Sequence, residues 1–523
     1  MKMNFLFFLC VLPCFVSAAN ILVLETTPSP SHHIWMKTLL TALAQRGHNV
    51  TSLSADHVKE KIPNLHYIHM EKVYEVLYDT SSEDHTEHID FLNMGQVNVY
   101  DQFNTMVSYV RQSFKGMLLS KGYRQLLAYP DDFKFDLVIH DFISAPMLIN
   151  FVEKFGNPPI IGATAFYSAS LASELLGGIL APSYVPYPLV NMRTTNFWGR
   201  LSNFLLVYYD KYYRENIIAA EHGELLKKDF PNGADVRELM KRTKIVLLNK
   251  HPALDVNEPL MSNVISVGGL QIQRNRGLPE DLQKILDDAK DGVILFSLGT
   301  NVKSAELGDA RQEEILEAFR ALPQYTIIWK FEATSLPVKV PPNVIIRKFV
   351  PQSDLLAHPN LRLFISHCGL LSTQEAVWYG VPILGLPIFV DQHHNLEINL
   401  KTGAAEQGDL TTIGRHTFRR LIEQMMKDPK YRQKAKERSK IFQDQKENPL
   451  ERAVWWTEFV LRHPNMTFMR SDSLDLNIPI RHSWDVLAFI FLLIAVVVLI
   501  IFKIICYLIK NLCRSTSLKS KRD

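Results

Sequence analysis

Short apolar runs that end on a turn residue recur along this chain, without the polar-apolar alternation of a strand with one wet face. "FDLVIHD" (135–141) and "PPIIGATA" (158–165) are two of them. "GVILFSLGT" (292–300), "YTIIWKF" (325–331), "NVIIRKF" (343–349), "LRLFISH" (361–367) and "PILGLPIF" (382–389) form a second series. A strand that is apolar on both faces must be covered on both, which is the condition of a parallel sheet flanked by helices. Helix-period or loop-helix segments separate these runs, so the fold class read from the pattern is α/β, with two doubly wound, Rossmann-like domains in tandem. The chain is long enough for this: 523 residues, 47% hydrophobic and 21% charged, is a globular balance spread over more than one core. A net charge of only +3, with no basic stripe, argues against a nucleic-acid partner.

The first series opens with a strand over Ile21–Leu24 and a Thr-Pro-Ser-Pro-Ser loop. A helix is predicted from Ile34 to Gln45, closed by Gly47, and a second strand over "NVTSLS". Ser31, His32 and His33 then fall in the loop at the carboxyl edge of the sheet. A second helix is expected between Asp141 and Gly156. Residues 168–245 are richer in aromatic side chains and read as helices inserted around a pocket, with Phe166, Tyr167, Tyr184, Tyr187, Phe197 and Trp198 as its apolar lining. The change from the first series of strands to the second falls near residues 250–275.

Both ends carry membrane addresses. Lys2, an apolar run and Val16-Ser17-Ala18 have the form of a secretory signal cut after Ala18. Val486–Phe502 holds no charge, and the apolar character resumes after Lys503 through Ile509, enough for one membrane-spanning helix. The basic tail that follows should remain cytosolic, leaving the bulk of the chain lumenal. Lys519 and Lys521 near the carboxyl end have the form of a dilysine retrieval signal, which points to the endoplasmic reticulum membrane and a single-pass type I topology. Asn49 and Asn465 each begin a glycosylation triplet. Of five cysteines only Cys368 stays in the lumen, so no lumenal disulfide within the chain is possible. The expected organisation is a signal over 1–18, a first α/β domain over 19–265 and a second over 266–440. Helices and a membrane-proximal linker follow over 441–484, then a membrane helix over 485–509 and a tail over 510–523.

In the second half, His367-Cys368-Gly369 ends a strand and a helix from Leu370 to Tyr379 starts at once, stopped by Gly380. A helix N-terminus reached through glycine offers free backbone N–H groups to a phosphate, with the Ser372 hydroxyl in the first turn. Glu375, one turn on, can accept from the vicinal hydroxyls of a ribose. "SLGT" (297–300) repeats the strand, glycine and hydroxyl arrangement through Ser297, Gly299 and Thr300, and Asp391-Gln392 is an acid and amide suited to a sugar. Any one of these is an ordinary turn; their order along the chain is not.

"FVPQSDLLAHPNLRLFISHCGLLSTQEAVWYGVPILGLPIFVDQHHN" (349–395) resembles the signature of the family 1 UDP-glycosyltransferases, which have the GT-B fold. The likeness covers essentially the whole chain and is strongest to the membrane-bound animal branch, in particular its insect members. It implies that Phe349 stacks on uracil, Gln352 bonds its edge, and His367, Ser297, Thr300 and Ser372 hold the diphosphate. It also implies that Glu375 binds the ribose, and Asp391 with Gln392 the transferred sugar. Two positions depart from common members: Leu371 replaces an Asn of plant enzymes, and Lys330 replaces the Arg of vertebrate glucuronosyl enzymes. The second change removes a bidentate fork for a carboxylate and favours glucose over glucuronic acid as the sugar.

Transfer also needs a base, because an acceptor hydroxyl does not ionise unaided. His32 is the expected base and Asp141, at the end of "FDLVIHD", the acid that orients it; both match the family's catalytic pair, while His33 and His140 are expected in packing roles. The implied reaction is an inverting transfer of a hexose from a UDP-sugar to a small lipophilic hydroxylated acceptor, with no metal or other cofactor; self-association is left open. UDP-glucuronic acid as donor is the nearer alternative, and a non-catalytic lumenal carrier of lipophilic molecules the more distant one.

Overall fold

The computed structural model describes residues 18–78, 92, 94–144, 146–166, 169–188, 195–272, 277–333 and 336–519. Residues 1–17 of the signal segment, Tyr167 and the residues after Lys519 therefore lie outside the described residues.

One compact unit, residues 1–176 and 180–470, holds two parallel sheets. The first contains β1 (Asn20–Glu25), β2 (Asn49–Ser54), β3 (Leu65–His69), β4 (Leu137–Asp141), β5 (Ile160–Thr164), β6 (Thr243–Leu248) and β7 (Val264–Ser266), in the order 3-2-1-4-5-6-7. The second contains β8 (Val293–Ser297), β9 (Thr326–Lys330), β10 (Val344–Arg347), β11 (Leu361–Ser366), β12 (Ile383–Gly385) and β13 (Ala405–Gln407), in the order 10-9-8-11-12-13. The central strands are buried along their length, as their unbroken apolar runs require. Each sheet reverses its strand order once, between β1 and β4 and between β8 and β11. A crevice opens beyond the carboxyl ends at such a point, because the connections there leave in opposite directions. Leu24 pairs with His140 across the first reversal, and Ser297 with Ser366 across the second.

Local structure departs from the sequence expectation in two places. The first helix spans Pro30–Gln45, so His32 and His33 sit in its first turn and not in a loop. Proline at the first helical position explains the early start: its φ is already helical and its missing N–H would have had no partner. Residues 142–144 and 146–156 form turns, bends and a short helix, Phe151–Lys154; Leu148 at φ +60° breaks the longer helix expected there. The helices expected over 441–484 include Pro449–Arg462. Ala453, Val454 and Val460 are buried in one core cluster with Trp35, Leu39 and Leu43 of the first helix.

Residues 177–179 and 471–523 form a second compact unit. Its main element is the helix Trp484–Lys519, in which Trp484–Leu512 is 29 residues long and contains an 18-residue stretch with a mean hydropathy of 3.3. At about 1.5 Å per residue this stretch exceeds the roughly 30 Å hydrocarbon thickness of a bilayer.

Candidate active site

The two reversal points open on one cavity of about 770 Å³ within the larger unit. His32, Phe166, Ser297, Gly299, Thr300, Lys330, Phe349, Gln352, His367, Gly369, Ser372, Glu375, Asp391 and Gln392 all line it. Ser29 and Asn301, also on its wall, tie the halves together through a 3.1 Å bond from Asn301 Nδ2 to Ser29 Oγ.

On the first sheet, His32 Nδ1 lies 3.3 Å from Asp141 Oδ2, although the residues are 109 positions apart. The strand pairing of β1 with β4 brings them together: Asp141 ends β4, and the first helix leaves the adjacent end of β1. Asp141 is buried, and its backbone carbonyl is held by the Thr26 hydroxyl at 2.6 Å. A proton on His32 Nδ1 directed at this carboxylate leaves Nε2 as the basic atom. His33 does not line the cavity; its Nδ1 pairs with Glu25 Oε2 at 2.8 Å, among the hydroxyls of Ser52 and Ser54. Burial pulls the His33 imidazole down, but the Glu25 bond and charge outweigh it and the net shift is upward. His140 is fully buried, pairs through Nε2 with the Met147 carbonyl, and is pushed down to about 4 by burial.

On the second sheet, the helix Leu370–Tyr379 has the expected bounds, with Gly380 left-handed at φ +68°. Its N-cap is Gly369, which has no side chain to satisfy the first amides. Cys368 precedes it at φ +67°, a strained position for a non-glycine residue, held by a 3.0 Å bond from its amide to Ser366 Oγ. The His367 imidazole sits between two glycines. A Cβ on Gly299 would lie 2.4 Å from its Cε1, and one on Gly369 2.5 Å from its Nε2. Burial, with a smaller contribution from the Lys330 charge, pushes His367 down to about 4, so the ring is neutral at pH 7. Its Nδ1 is buried without a hydrogen-bond partner among the described residues.

Gln352 donates from Nε2 to Ser372 Oγ at 2.9 Å and to Glu375 Oε2 at 2.6 Å, joining three residues expected to contact the nucleotide. Burial pushes Glu375 up to about 7 despite that bond. Phe349 is 76% exposed on the rim, free to present its ring face. Lys330 donates to the Gly299 carbonyl at 2.7 Å and pairs with Glu332 at 2.8 Å, so it braces the Ser-Leu-Gly-Thr loop and its charge is offset. Asp391 is buried and pushed up to about 6 by desolvation, against the lowering effect of Asn395, whose Nδ2 donates to it at 2.7 Å. Gln392 Oε1 accepts the amides of Ile388 and Phe389 at 2.8 and 3.2 Å, which fixes the turn and leaves its Nε2 for a ligand. Val390, between them and β12, lies at φ +55°.

Asn395 and Gln374 went unnoticed in the sequence. Asn395 braces Asp391 and also donates to the Cys368 carbonyl at 3.0 Å. Its place four residues after Asp391 on one helix face was the available signal. Gln374 bonds Asn249 Oδ1 and Gln271 across to the first half, and nothing local announces that. Of the aromatic stretch, Phe166 and Tyr187 line the cavity, whereas Phe197 and Trp198 are largely exposed and Tyr184 is half-exposed, none of the three on its wall. The apolar wall is drawn instead from Ile34, Phe103, Met106, Val107, Val110 and Ile143. Asp131, the first of an acidic pair, sits in a turn and forms an ion pair with Lys154 at 2.7 Å.

Solved structures share this architecture. The calicheamicin glycosyltransferase CalG4 matches with a TM-score of 0.53 at 17% identity, over 85% of this chain and 99% of that one. TcCGT1, solved in complex with UDP, matches with a TM-score of 0.54 at 15% identity, over 86% and 100%. The fold is thus that of the GT-B glycosyltransferases. At the level of sequence, the chain belongs to the family described as UDP-glucoronosyl and UDP-glucosyl transferase, whose model matches residues 19–519. It is therefore a glycosyltransferase that uses UDP-sugars. It is 31% identical to UDP-glycosyltransferase UGT5 of Dactylopius coccus over 98% of both chains, and 30% identical to UDP-glucosyltransferase 2 of the same organism over 95% and 93%. It is 28% identical to UDP-glucuronosyltransferase 2B13 of Oryctolagus cuniculus over 98% and 97%.

Proposed function

We infer that this enzyme transfers glucose from UDP-glucose to a hydroxyl group of a small lipophilic acceptor, in one displacement that inverts the anomeric centre. The observation that carries the reading is the shared cavity: His32, backed by the buried Asp141, and Gly369 at the helix N-terminus line the same space. His32 Nε2 takes the acceptor proton as the oxygen attacks the anomeric carbon, and Asp141 stabilises the imidazolium that forms. UDP departs from the opposite face. Its growing charge is met by the helix N-terminus, the hydroxyls of Ser297, Thr300 and Ser372, and a neutral His367 donating a hydrogen bond, with no metal assigned to the step. Phe349 and Gln352 take the uracil, Glu375 the ribose, and Asp391 with Gln392 the hexose. Leu371 on the cavity wall offers the diphosphate only its backbone.

Glucose is favoured over glucuronic acid because the permanent cations on the cavity wall, Lys330 and Arg214, are each paired with an acid. Neither is left to meet a uronate carboxylate. The apolar helix Trp484–Leu512 supports anchoring in a membrane, where lipophilic acceptors concentrate. With the signal segment and the lysine tail, it supports residence in the endoplasmic reticulum with the catalytic unit lumenal, where Asn49 and Asn465 would accept glycans and conjugation of foreign or endogenous lipophiles would serve detoxification. The test is transfer from labelled UDP-glucose and UDP-glucuronic acid to simple phenols by microsomes carrying wild type or His32→Ala. Glucoside formation that disappears in the variant is expected. Glucuronide as the main product would overturn the donor assignment, and activity surviving in His32→Ala would overturn the base. UDP binding without transfer to any phenol would favour a carrier.

A further inference from the structure

Transfer requires the acceptor oxygen and the anomeric carbon to lie about 3–3.5 Å apart and in line, and a misplacement of about 1 Å can cost about 10²-fold in rate. His32 stands on the first half and the nucleotide groups on the second, so the registration of the halves bears directly on catalysis. The helix Leu370–Tyr379 has one side for each task. Ser372 and Glu375 meet Gln352 and line the cavity. Leu371, Gln374 and Trp378 share another side, at helical spacing. Leu371 packs against the core cluster of the first half that holds Ala165 and Leu270, and Trp378 against the cluster that holds Leu254 and Ile272 of the joining segment. Between them Gln374 is fully buried, and so is Asn249, with Gln271 nearly so. Gln374 Nε2 donates to Asn249 Oδ1 at 3.0 Å, Asn249 Nδ2 donates to the Ala165 carbonyl at 2.8 Å, and Gln271 Nε2 donates to Gln374 Oε1 at 2.9 Å. A carbonyl can only accept, so Ala165 fixes which way Asn249 faces, and each amide then fixes the next. Ala165 follows β5, and the ring of the next residue, Phe166, is centred 6.0 Å from that of His32.

We propose that Gln374 is a positioning residue for the transfer step: through Asn249 it registers the nucleotide helix against the strand end that carries Phe166 beside His32. This rests on the reading of His32 as the base and of that helix as the phosphate site. Neither Gln374 nor Asn249 lines the cavity, so both act through the placement of other groups. Apolar contact is non-directional and would let the helix slide, whereas a slide that breaks the string leaves buried amides unpaired. The two sides of the helix therefore separate affinity from rate. Ser372 and Glu375 decide how tightly the nucleotide is held, and Gln374 decides where it is held relative to His32. Loss of Gln374 should lower turnover and spare nucleotide affinity.

The test uses full-length protein in detergent: wild type, Gln374→Met, Gln271→Met and the double variant. Methionine keeps the length of glutamine without its N–H donors. Calorimetry gives UDP affinity and the number of UDP-binding sites, and transfer from labelled UDP-glucose to an alkyl phenol gives kcat per site. Gln374→Met should lower kcat about 10–100-fold while UDP affinity stays within about twofold. The acid limb of its pH–rate profile, set by the base, should not move. Because the string acts as a unit, the double variant should lose no more than Gln374→Met alone. A kcat within about threefold of wild type, a loss of UDP affinity equal to the loss in kcat, or losses that multiply in the double variant would each overturn the role. Should Gln374→Met fail to fold, Gln271→Met decides by the same split between kcat and UDP affinity, with an expected loss in kcat of about three- to tenfold. Wild type that binds UDP and transfers to no phenol would overturn the transfer reading and this role with it. Active wild type beside an unimpaired Gln374→Met would overturn the role alone.

Discussion

Replacing Asp141 by asparagine separates the geometry of the His32 pair from its charge. The carboxylate is 3.3 Å from His32 Nδ1 and buried, so the isosteric amide occupies the same place. Two orientations are open to it. If Nδ2 donates to Nδ1, the imidazole proton moves to Nε2 and the lone pair needed by the acceptor is lost. If Oδ1 accepts from Nδ1, the tautomer survives but the charge that stabilises the imidazolium is gone. Two unit charges 3.3 Å apart attract by about 5 kcal/mol at an effective dielectric of about 20. General-base catalysis contributes roughly 10²–10⁴-fold, or about 3–5 kcal/mol at about 1.4 per factor of ten. Asp141→Asn should therefore lower kcat by about 10²–10⁴ while the KM for UDP-glucose, bound by the other sheet, changes little. The assay is steady-state transfer to an alkyl phenol and to a nitrophenol. The more acidic nitrophenol needs less help from a base and should lose about tenfold less. A variant with native melting behaviour and kcat within about threefold of wild type would refute the role of the pair, as would equal losses for the two phenols.

Three further outcomes follow from the donor side. Gly299→Ala puts a methyl group 2.4 Å from the His367 ring at a backbone φ of +82°, so UDP affinity, measured by calorimetry, should fall at least about tenfold and thermal stability by about 1–2 kcal/mol. Glu375 is pushed from 4.5 to about 7 by burial, so the folded state holds a proton that the unfolded state has released. Its stabilising contribution is present below about pH 4.5 and lost as pH rises to about 7, and Glu375→Gln should flatten that part of a melting-temperature profile. Ribose hydroxyls favour the ionised form, so wild-type affinity for UDP-glucose should rise from pH 6 to 8 and that of Glu375→Gln should not; a steady affinity in wild type would argue against ribose binding there. Asn395→Ala removes the bonds to Asp391 and the Cys368 carbonyl, and should cost about 1–3 kcal/mol of stability with a raised KM for the donor; unchanged kinetics would show that Asp391 does not need this brace.

The donor half was readable because its residues are close in sequence. His367, Gly369, Ser372, Glu375, Asp391 and Gln392 fall within 26 positions, and Gly369 and Gly380 mark both ends of the helix between them. Local cues failed where two conformations suit the same residues. "PSPSHH" reads as a loop because serine and proline suit turns, yet Pro30 is equally at home at the first helical position. β3, β6, β7 and β13 were missed: β3 is partly exposed, β7 and β13 are three residues long, and the buried run of β6 directly follows the aromatic stretch read as helices. Their places come from pairing with neighbouring strands.

By itself the sequence determined what is encoded over short distances: two series of apolar strands, the helices Pro30–Gln45 and Leu370–Tyr379 that follow two of them, the glycine turn ahead of the second, and an apolar helix able to span a bilayer. The tertiary structure decided which ends of which strands are neighbours. The order 3-2-1-4 sets Asp141 beside His32, and 8-11 sets Ser297 beside the His367 turn. It also decided that Tyr187 and Arg214, far from either motif, line the same cavity. The physical reason is that periodicity and turn chemistry act within a few residues. Strand order is fixed by how two whole sheets bury their apolar faces, and that balance is struck across the entire chain.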